Sequence, residues 1–272
     1  MVGLRQVSEH CWVATSSFCQ LNTVVLCSEG SAVVIDPGVT GAELDELVAA
    51  LHSLGVKPQV GLSTHPHWDH LLWHPGLGGV PRLASVRAVE WLDDRRLADA
   101  RAEAATEASG ADLELLGLIK PIDAAGLRWS GPQLTLIGHD GHAPGHLAIS
   151  VPDDGVLIAG DMCSDVEIPL LDLSSEQPLD GYRTGLAELR RAAAGCHLVV
   201  PGHGAIARDE QVARRFDQDL AYLDALEAGE QVRDVRLDEA VARGTEWLLE
   251  EHARQRSWAR SAGVGRTPGK ME

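Results

Sequence analysis

Basic charge is scarce in this 272-residue chain: 23 Lys and Arg stand against 40 Asp and Glu, a net charge of −17. Phosphate backbones are held by clustered Lys and Arg, so nucleic acid is not an expected partner. Anionic membrane surfaces repel such a chain, and the acidity by itself reads as solubility. CxxC pairs are also lacking. The five cysteines (Cys11, Cys19, Cys27, Cys163, Cys196) are odd in number and scattered, which suits a reducing compartment better than a disulfide framework. No apolar run approaches the roughly 18–20 residues that cross a bilayer, and the sequence does not open on a basic stretch followed by an apolar one. The expectation is a soluble, cytoplasmic protein without a membrane partner. No low-complexity tract or short-period repeat occurs. What remains is ordinary for a globular protein, 44% apolar and 23% charged, and long enough for one large domain or a domain with an appendage.

Strand-like runs open the chain at Cys11 to Ala14, Asn22 to Cys27 and Ser31 to Ile35, the last ending in the turn signal Asp36-Pro37-Gly38. Leu44, Leu47, Val48, Leu51 and Leu54 share one face of a helix over Glu43 to Leu54. A strand over Gln59 to Thr64 and a helical stretch over Val86 to Ser109 follow. The second half repeats the theme, with strands over Gln133 to Ile137, Leu147 to Val151, Val156 to Ile158 and His197 to Val200. Helices are expected over Tyr182 to Ala194, Asp209 to Ala228 and Leu237 to about Trp258. Two strand-rich halves that each deliver polar residues from strand ends suggest two packed sheets with helices outside, and a site along one edge.

The chemistry concentrates in His65-Pro66-His67-Trp68-Asp69-His70, four ligand-type side chains in six residues directly after a strand. Alternate residues of an extended segment point the same way, so His65 and His67 can share one metal ion. Asp69 and His70 follow where the chain turns and can reach a second. Further ligand types stand at other strand ends: Asp36, His146, Asp161 and His203. Trp68 and Trp73 flank the cluster and either wall a pocket or fill the core. His139 and His142 read as polar loop residues or as groups that contact ligands or substrate, and His74 reads as structural.

Taken together, these motifs resemble the metallo-β-lactamase superfamily over residues 11–205. Val33-Val34-Ile35-Asp36-Pro37-Gly38 is similar to its first motif and His65 to His70 to its second. Ala143-Pro144-Gly145-His146, Ile158-Ala159-Gly160-Asp161 and Val200-Pro201-Gly202-His203-Gly204 are similar to its third, fourth and fifth. The resemblance implies an α+β fold, an αββα sandwich of two mixed sheets face to face with helices outside. It places the catalytic domain at residues 1–205; beyond its reach the sequence itself reads as C-terminal helices packed on or capping the domain at 206–260 and a Gly- and Arg-containing, disordered tail at 261–272. It also implies two Zn²⁺ ions, with Mn²⁺ or Fe²⁺ as alternatives. His65, His67 and His146 would hold the first ion; Asp69, His70 and His203 the second; Asp161 would bridge them. Asp36 would orient the ligand loop by hydrogen bonds, and Asp69 would also orient the attacking hydroxide.

The activity so implied is cleavage of an ester, lactone or thioester of a small acyl substrate by a metal-bridging hydroxide. Asp161, followed by Met162-Cys163, is more similar to the glyoxalase II, lactonase and thioesterase branches than to true β-lactamases. Lactonases that degrade signal molecules carry a tyrosine shortly after the fourth-motif aspartate, whereas this chain reads Met162-Cys163-Ser164-Asp165-Val166. No basic cluster suited to the carboxylates of glutathione is evident. The alternatives are a mononuclear iron persulfide dioxygenase, a β-lactamase-like amide hydrolase and a non-catalytic metal-binding scaffold. The tail, with Leu220, Leu223, Leu226, Leu248 and Leu249, packs on the domain, caps the site or pairs two copies into a homodimer.

Overall fold

Apolar residues run through nearly every strand, and their alternation sorts them onto the two faces of two sheets. The computed structural model describes residues 2–122 and 127–262. In the first sheet β1 (Val2–Gln6), β2 (Cys11–Thr15), β3 (Asn22–Ser28), β4 (Ser31–Ile35), β5 (Lys57–Leu62), β6 (Arg82–Ala84) and β7 (Lys120–Pro121) lie side by side in that order. The strands are antiparallel as far as β4 and parallel from β4 to β7. The second sheet runs β12 (Ala207–Arg208), β11 (Leu198–Pro201), β10 (Val156–Gly160), β9 (His146–Val151) and β8 (Thr135–His139). Only its β10–β11 pair is parallel.

The strand β10 shows the sorting at work. Val156 and Ile158 enter the layer between the sheets with Val24, Leu26, Val33 and Ile35, while Leu157 and Ala159 face the helices on the far side. Against the outer face of the first sheet lies α1 (Gly41–Leu54), whose Leu47 and Leu51 meet Val25 and Val34. The outer face of the second is covered by α4 (Pro178–Ala192) and α5 (Glu210–Ala228), with Leu186, Leu189, Phe216 and Leu223 buried. The architecture is the expected αββα sandwich of two mixed sheets.

Two long helical stretches are broken by side-chain caps. The helix expected over 86–109 is two, α2 (Val86–Trp91) and α3 (Asp94–Glu107), because Asp93 accepts from the Arg96 backbone N–H at 2.8 Å and starts a new helix. The stretch expected from Leu237 is three: α6 (Val235–Asp238), α7 (Ala240–Arg243) and α8 (Trp247–Ser261). Asp234 caps the first of them, and Gly244, at φ +69°, ends the second. Leu248 and Ala259 of α8 pack into the core beneath α5. The tail expected at 261–272 begins inside α8, and residues 263–272 lie outside the described residues. Short strands β1, β6, β7 and β12 extend the sheets beyond the strands read from sequence. Among the described residues no helix is long and apolar enough to cross a membrane.

Candidate metal centre

One edge of the sandwich collects the ends of five strands. Asp36 follows β4 at φ +46°, and its carboxylate accepts from the backbone N–H of Thr64 at 2.8 Å and from Thr64 Oγ1 at 2.6 Å. That pair fixes the exit of β5, from which His65 to His70 emerge. His67 then stands at the start of a single tight turn over Trp68–His70, which turns Asp69 and His70 Nε2 toward His203 while the His70 ring stays 4.0 Å, centroid to centroid, from that of His65. His142 stands in the β8–β9 connection, Asp161 follows β10 and His203 follows β11. Gly202 is required here, because a Cβ at that position would collide with Asp161 Oδ1.

The side chains converge in two adjoining groups. In the first, His65 Nε2 lies 3.0 Å from His67 Nδ1, and His142 Nε2 lies 3.1 Å from the same atom. Asp161 Oδ2 completes it at 3.4 Å from His65 Nε2 and 3.6 Å from His142 Nε2. In the second, His70 Nε2 and His203 Nε2 are 3.3 Å apart. Asp69 Oδ2 stands 3.6 Å from the former and 3.3 Å from the latter. Asp161 touches this group too, with Oδ1 3.3 Å from His70 Nε2 and Oδ2 3.4 Å from His203 Nε2. The remaining ring nitrogens are used for orientation. His203 Nδ1 donates to the carbonyl of Cys19 at 2.9 Å, His142 Nδ1 meets Leu170 O at 3.0 Å and His70 Nδ1 lies 2.9 Å from Asp36 Oδ2. Cys19 itself is held at φ +45°, and backbone strain of this kind concentrates at functional loops.

The electrostatics suit divalent cations. Burial lowers the pKa of His65 and His67 and takes that of His142 to about 3, so all three are neutral at pH 7 with lone pairs free to donate. Burial opposes ionisation of Asp161 and Asp69, yet the neighbouring His70 and His203 hold both carboxyls below the usual range. Those two imidazoles are raised in turn, against their own burial, chiefly by Asp161 at His70 and by Glu167 at His203. The protons they carry are the positive charge that metal ions would otherwise bring. Asp161 Oδ1 is buried without a hydrogen-bond partner, which an ion between the two groups would satisfy. The imidazole and carboxylate set therefore fits divalent metal ions.

His146 does not take the place expected of it. Its Nε2 accepts the backbone N–H of Asp161 at 3.2 Å and its Nδ1 meets His139 Nε2 at 3.0 Å. Both nitrogens are thus spent, and His142 fills the first group instead. The reason is geometric: His146 is the first residue of β9 and lies buried beneath Gly160, whereas His142 sits in the loop that reaches over His67. Trp73 is no pocket wall either. It packs with Leu47, Leu51 and Leu77 below α1 and donates to Gly78 O at 3.1 Å. His74 accepts from the Gly76 backbone N–H and lies 3.2 Å from Asp45. Cys163 turns into the core under α5. Trp68 does wall the site, edge-on to Phe18 at 5.3 Å.

These placements separate two neighbouring histidines experimentally. His142→Ala is expected to remove one ion per chain and nearly all metal-dependent activity. His146→Ala should keep both sites and weaken them about 10–100-fold, as loss of a supporting group does. Metal content against free-ion concentration distinguishes the two, and the reverse pattern would restore His146 as the ligand.

Above the ligands opens a cavity of about 1130 Å³. Phe18, Trp68, one side of α3 and the segment Leu170–Ser174 form its walls. The helix α8 contributes Trp247, Glu251 and Arg254, so the tail both packs on the domain and borders the site. Glu167 also opens into the cavity. It was not singled out in the sequence, because a glutamate six residues past Asp161 matches no motif there.

A family model described as the metallo-beta-lactamase superfamily matches residues 17–203. No curated protein is detectably similar in sequence. Among solved structures, a metallo-beta-lactamase from Pontibacter korlensis is 18% identical with a TM-score of 0.55, covering 80% of this chain and 98% of its own. The B3 metallo-beta-lactamase BLEG-1 is 20% identical with a TM-score of 0.57, covering 74% and 95%. The metallo-beta-lactamase FIM-1 from Pseudomonas aeruginosa, in its mono-zinc form, is 14% identical with a TM-score of 0.50, covering 79% and 93%. At these identities the likeness is one of fold.

Proposed function

The chain belongs to the metallo-β-lactamase superfamily, and from that premise we propose that it is a binuclear metal-dependent hydrolase of small acyl esters, lactones or thioesters. One observation carries the reading: two ligand groups, three neutral imidazoles in one and Asp69, His70 and His203 in the other, meet on the single carboxylate of Asp161 at the floor of a large cavity. When bound, two divalent ions would supply a water acidified towards neutral pH and a Lewis acid for the carbonyl oxygen. His65, His67 and His142 would hold one ion, Asp69, His70 and His203 the other, and Asp161 both.

The protein groups then have defined tasks. Asp69, whose Oδ2 faces both ring nitrogens of its group, would help hold the second ion and orient the attacking water by hydrogen bonding. Asp36 and the carbonyls of Cys19 and Leu170 fix the rings of His70, His203 and His142, so no ligand has to reorganise during the reaction. Phe18 and Trp68 exclude water from one side of the acyl group. Asp161 at the shared position supports acyl esters and thioesters over β-lactams, on the motif comparison made from the sequence.

Metal content per chain, on protein purified without chelators, tests the proposal. About two zinc or manganese ions together with turnover on a lactone and thioester panel are expected. About one iron with oxygen uptake would replace the hydrolase by a dioxygenase. Two ions without turnover on any acyl compound would leave a metal-binding scaffold.

A further inference from the structure

Glu167 is a buried acid without a hydrogen-bonded partner at the heart of the cavity. It is 7% exposed. Its backbone is fully engaged, the N–H on Ser164 Oγ at 3.0 Å and the carbonyl on Arg236 Nη1 at 2.8 Å. Among the described residues nothing donates a hydrogen bond to its carboxylate. The nearest cationic atom is His203 Nδ1 at 3.8 Å, and that nitrogen is already committed to Cys19 O. Its carboxylate therefore opens into the cavity with hydrogen-bonding capacity that a ligand can take up.

The rest of the cavity has the same bias. Three arginines line it, and each already has a carboxylate: Arg95 pairs with Asp99, Arg96 with Asp93 and Arg254 with Glu251. Glu103, Glu107 and Asp172 line it without a cationic partner among the described residues. Aromatic surface is at hand in Trp68 and in the half-exposed Trp247, and such faces attract cations. The face of Trp91 is taken by the Arg96 guanidinium, 4.7 Å from its centroid.

We infer that the site selects acyl substrates that carry a protonated amine, held by Glu167 within a few bonds of the scissile carbonyl. The short reach follows from position, since a carboxylate oxygen of Glu167 lies within 4.8 Å of ligand atoms of both Asp161 and His203. An ammonium on Glu167 stands beside the reacting centre, so the amine belongs to the acyl part and not to a distant leaving group. Anionic acyl groups meet Glu167, Glu103, Glu107 and Asp172 and are disfavoured. The inference rests on the hydrolase reading proposed above and narrows its substrate class.

The test compares β-alanyl, butyryl and malonyl thioesters of one thiol, near-isosteric acyl groups of charge +1, 0 and −1, on the metal-loaded protein. The expected kcat/KM is about tenfold or more higher for β-alanyl than for butyryl, the step one well-placed ion pair supplies, with malonyl lowest. Glu167→Gln should bring the β-alanyl to butyryl ratio close to one, chiefly through KM. Glu103→Lys with Glu107→Lys, at the rim, should lower the ratio in part. Equal rates for butyryl and β-alanyl in the wild type overturn the inference while leaving the hydrolase intact. So does a Glu167→Gln protein that loses metal and all three activities in equal measure, since Glu167 is then a metal ligand. If no thioester is cleaved, the hydrolase reading fails and binding decides the inference: saturable tryptophan quenching by β-alanine amide but not by butyramide, lost in Glu167→Gln, supports it, and no such difference refutes it.

Discussion

Asp161→Ala is expected to strip both metal ions and to lower turnover by roughly 10³-fold or more. Its carboxylate contacts both clusters, through Oδ1 on His70 and Oδ2 on His65, His142 and His203, at 3.3 to 3.6 Å. Without it each ion loses a ligand, and the charge that holds the two together is gone. The fold should survive, since the carboxylate's other contacts are with the imidazoles that would hold metal. Asp161→Asn keeps the shape and removes the charge, and should retain at most a weakened first site. Metal analysis beside kcat, with circular dichroism as the fold control, reads all of this. Two ions retained in Asp161→Ala with turnover inside tenfold of wild type would sink the shared-ligand arrangement.

The largest effect on stability is expected away from the ligands, at Arg236. This side chain is fully buried and spends every arm. Nη1 reaches Asp219 at 2.6 Å and the carbonyls of Ser164 and Glu167 at 3.1 and 2.8 Å, while Nη2 and Nε hold Asp234 at 2.6 and 2.9 Å. Arg236→Ala leaves two carboxylates buried without a counter-charge, at a cost of about 3–5 kcal/mol, or on the order of 10 °C in Tm. Adding Asp219→Asn should recover part of that loss, because it removes one of the stranded charges. The same variant should bind metal about 10–100-fold more weakly. Arg236 grips the loop that follows Asp161, and Ser164 Oγ of that loop donates to His203 O at 2.8 Å. Thermal unfolding and metal affinity measured on one preparation test both halves. A shift in Tm with unchanged affinity would separate the C-terminal helices from the metal centre.

Much of this site is legible in the chain itself, and the exceptions have physical causes. Candidate ligands fixed by a strand end or a tight local turn are the ones whose grouping can be anticipated from sequence, as with His65, His67, Asp69 and His70, where side-chain direction follows from the backbone. His142, in the β8–β9 connection, and His146, at the start of β9, are four residues apart, and both are ligand types. Which of them faces the ions depends on where the β8–β9 turn meets Gly160 and His67, a tertiary matter that spacing does not encode. Trp73 and Trp68 were equivalent on paper for the same reason, yet one fills the space below α1 and the other faces Phe18. Glu167 and Arg236 carry no signal in the sequence, because their contacts arise only when the helices after Ala205 fold back over the loop at 162–168. The broken helices α2–α3 and α6–α8 hinge on single caps, Asp93 and Asp234, inside otherwise helix-favouring sequence.

The order in which the ligands leave the ribosome has a consequence for how metal is acquired. His70 and its partner His203 are separated by 133 positions, with Asp161 between them, and the clamp at Arg236 comes later still. A nascent chain that has exposed only its first half offers His65, His67, Asp69 and His70, without the carboxylate that joins the two groups. On the binuclear reading, joining the two groups would therefore wait for the second half of the chain, and apoprotein prepared without metal should gain activity on addition of ions alone.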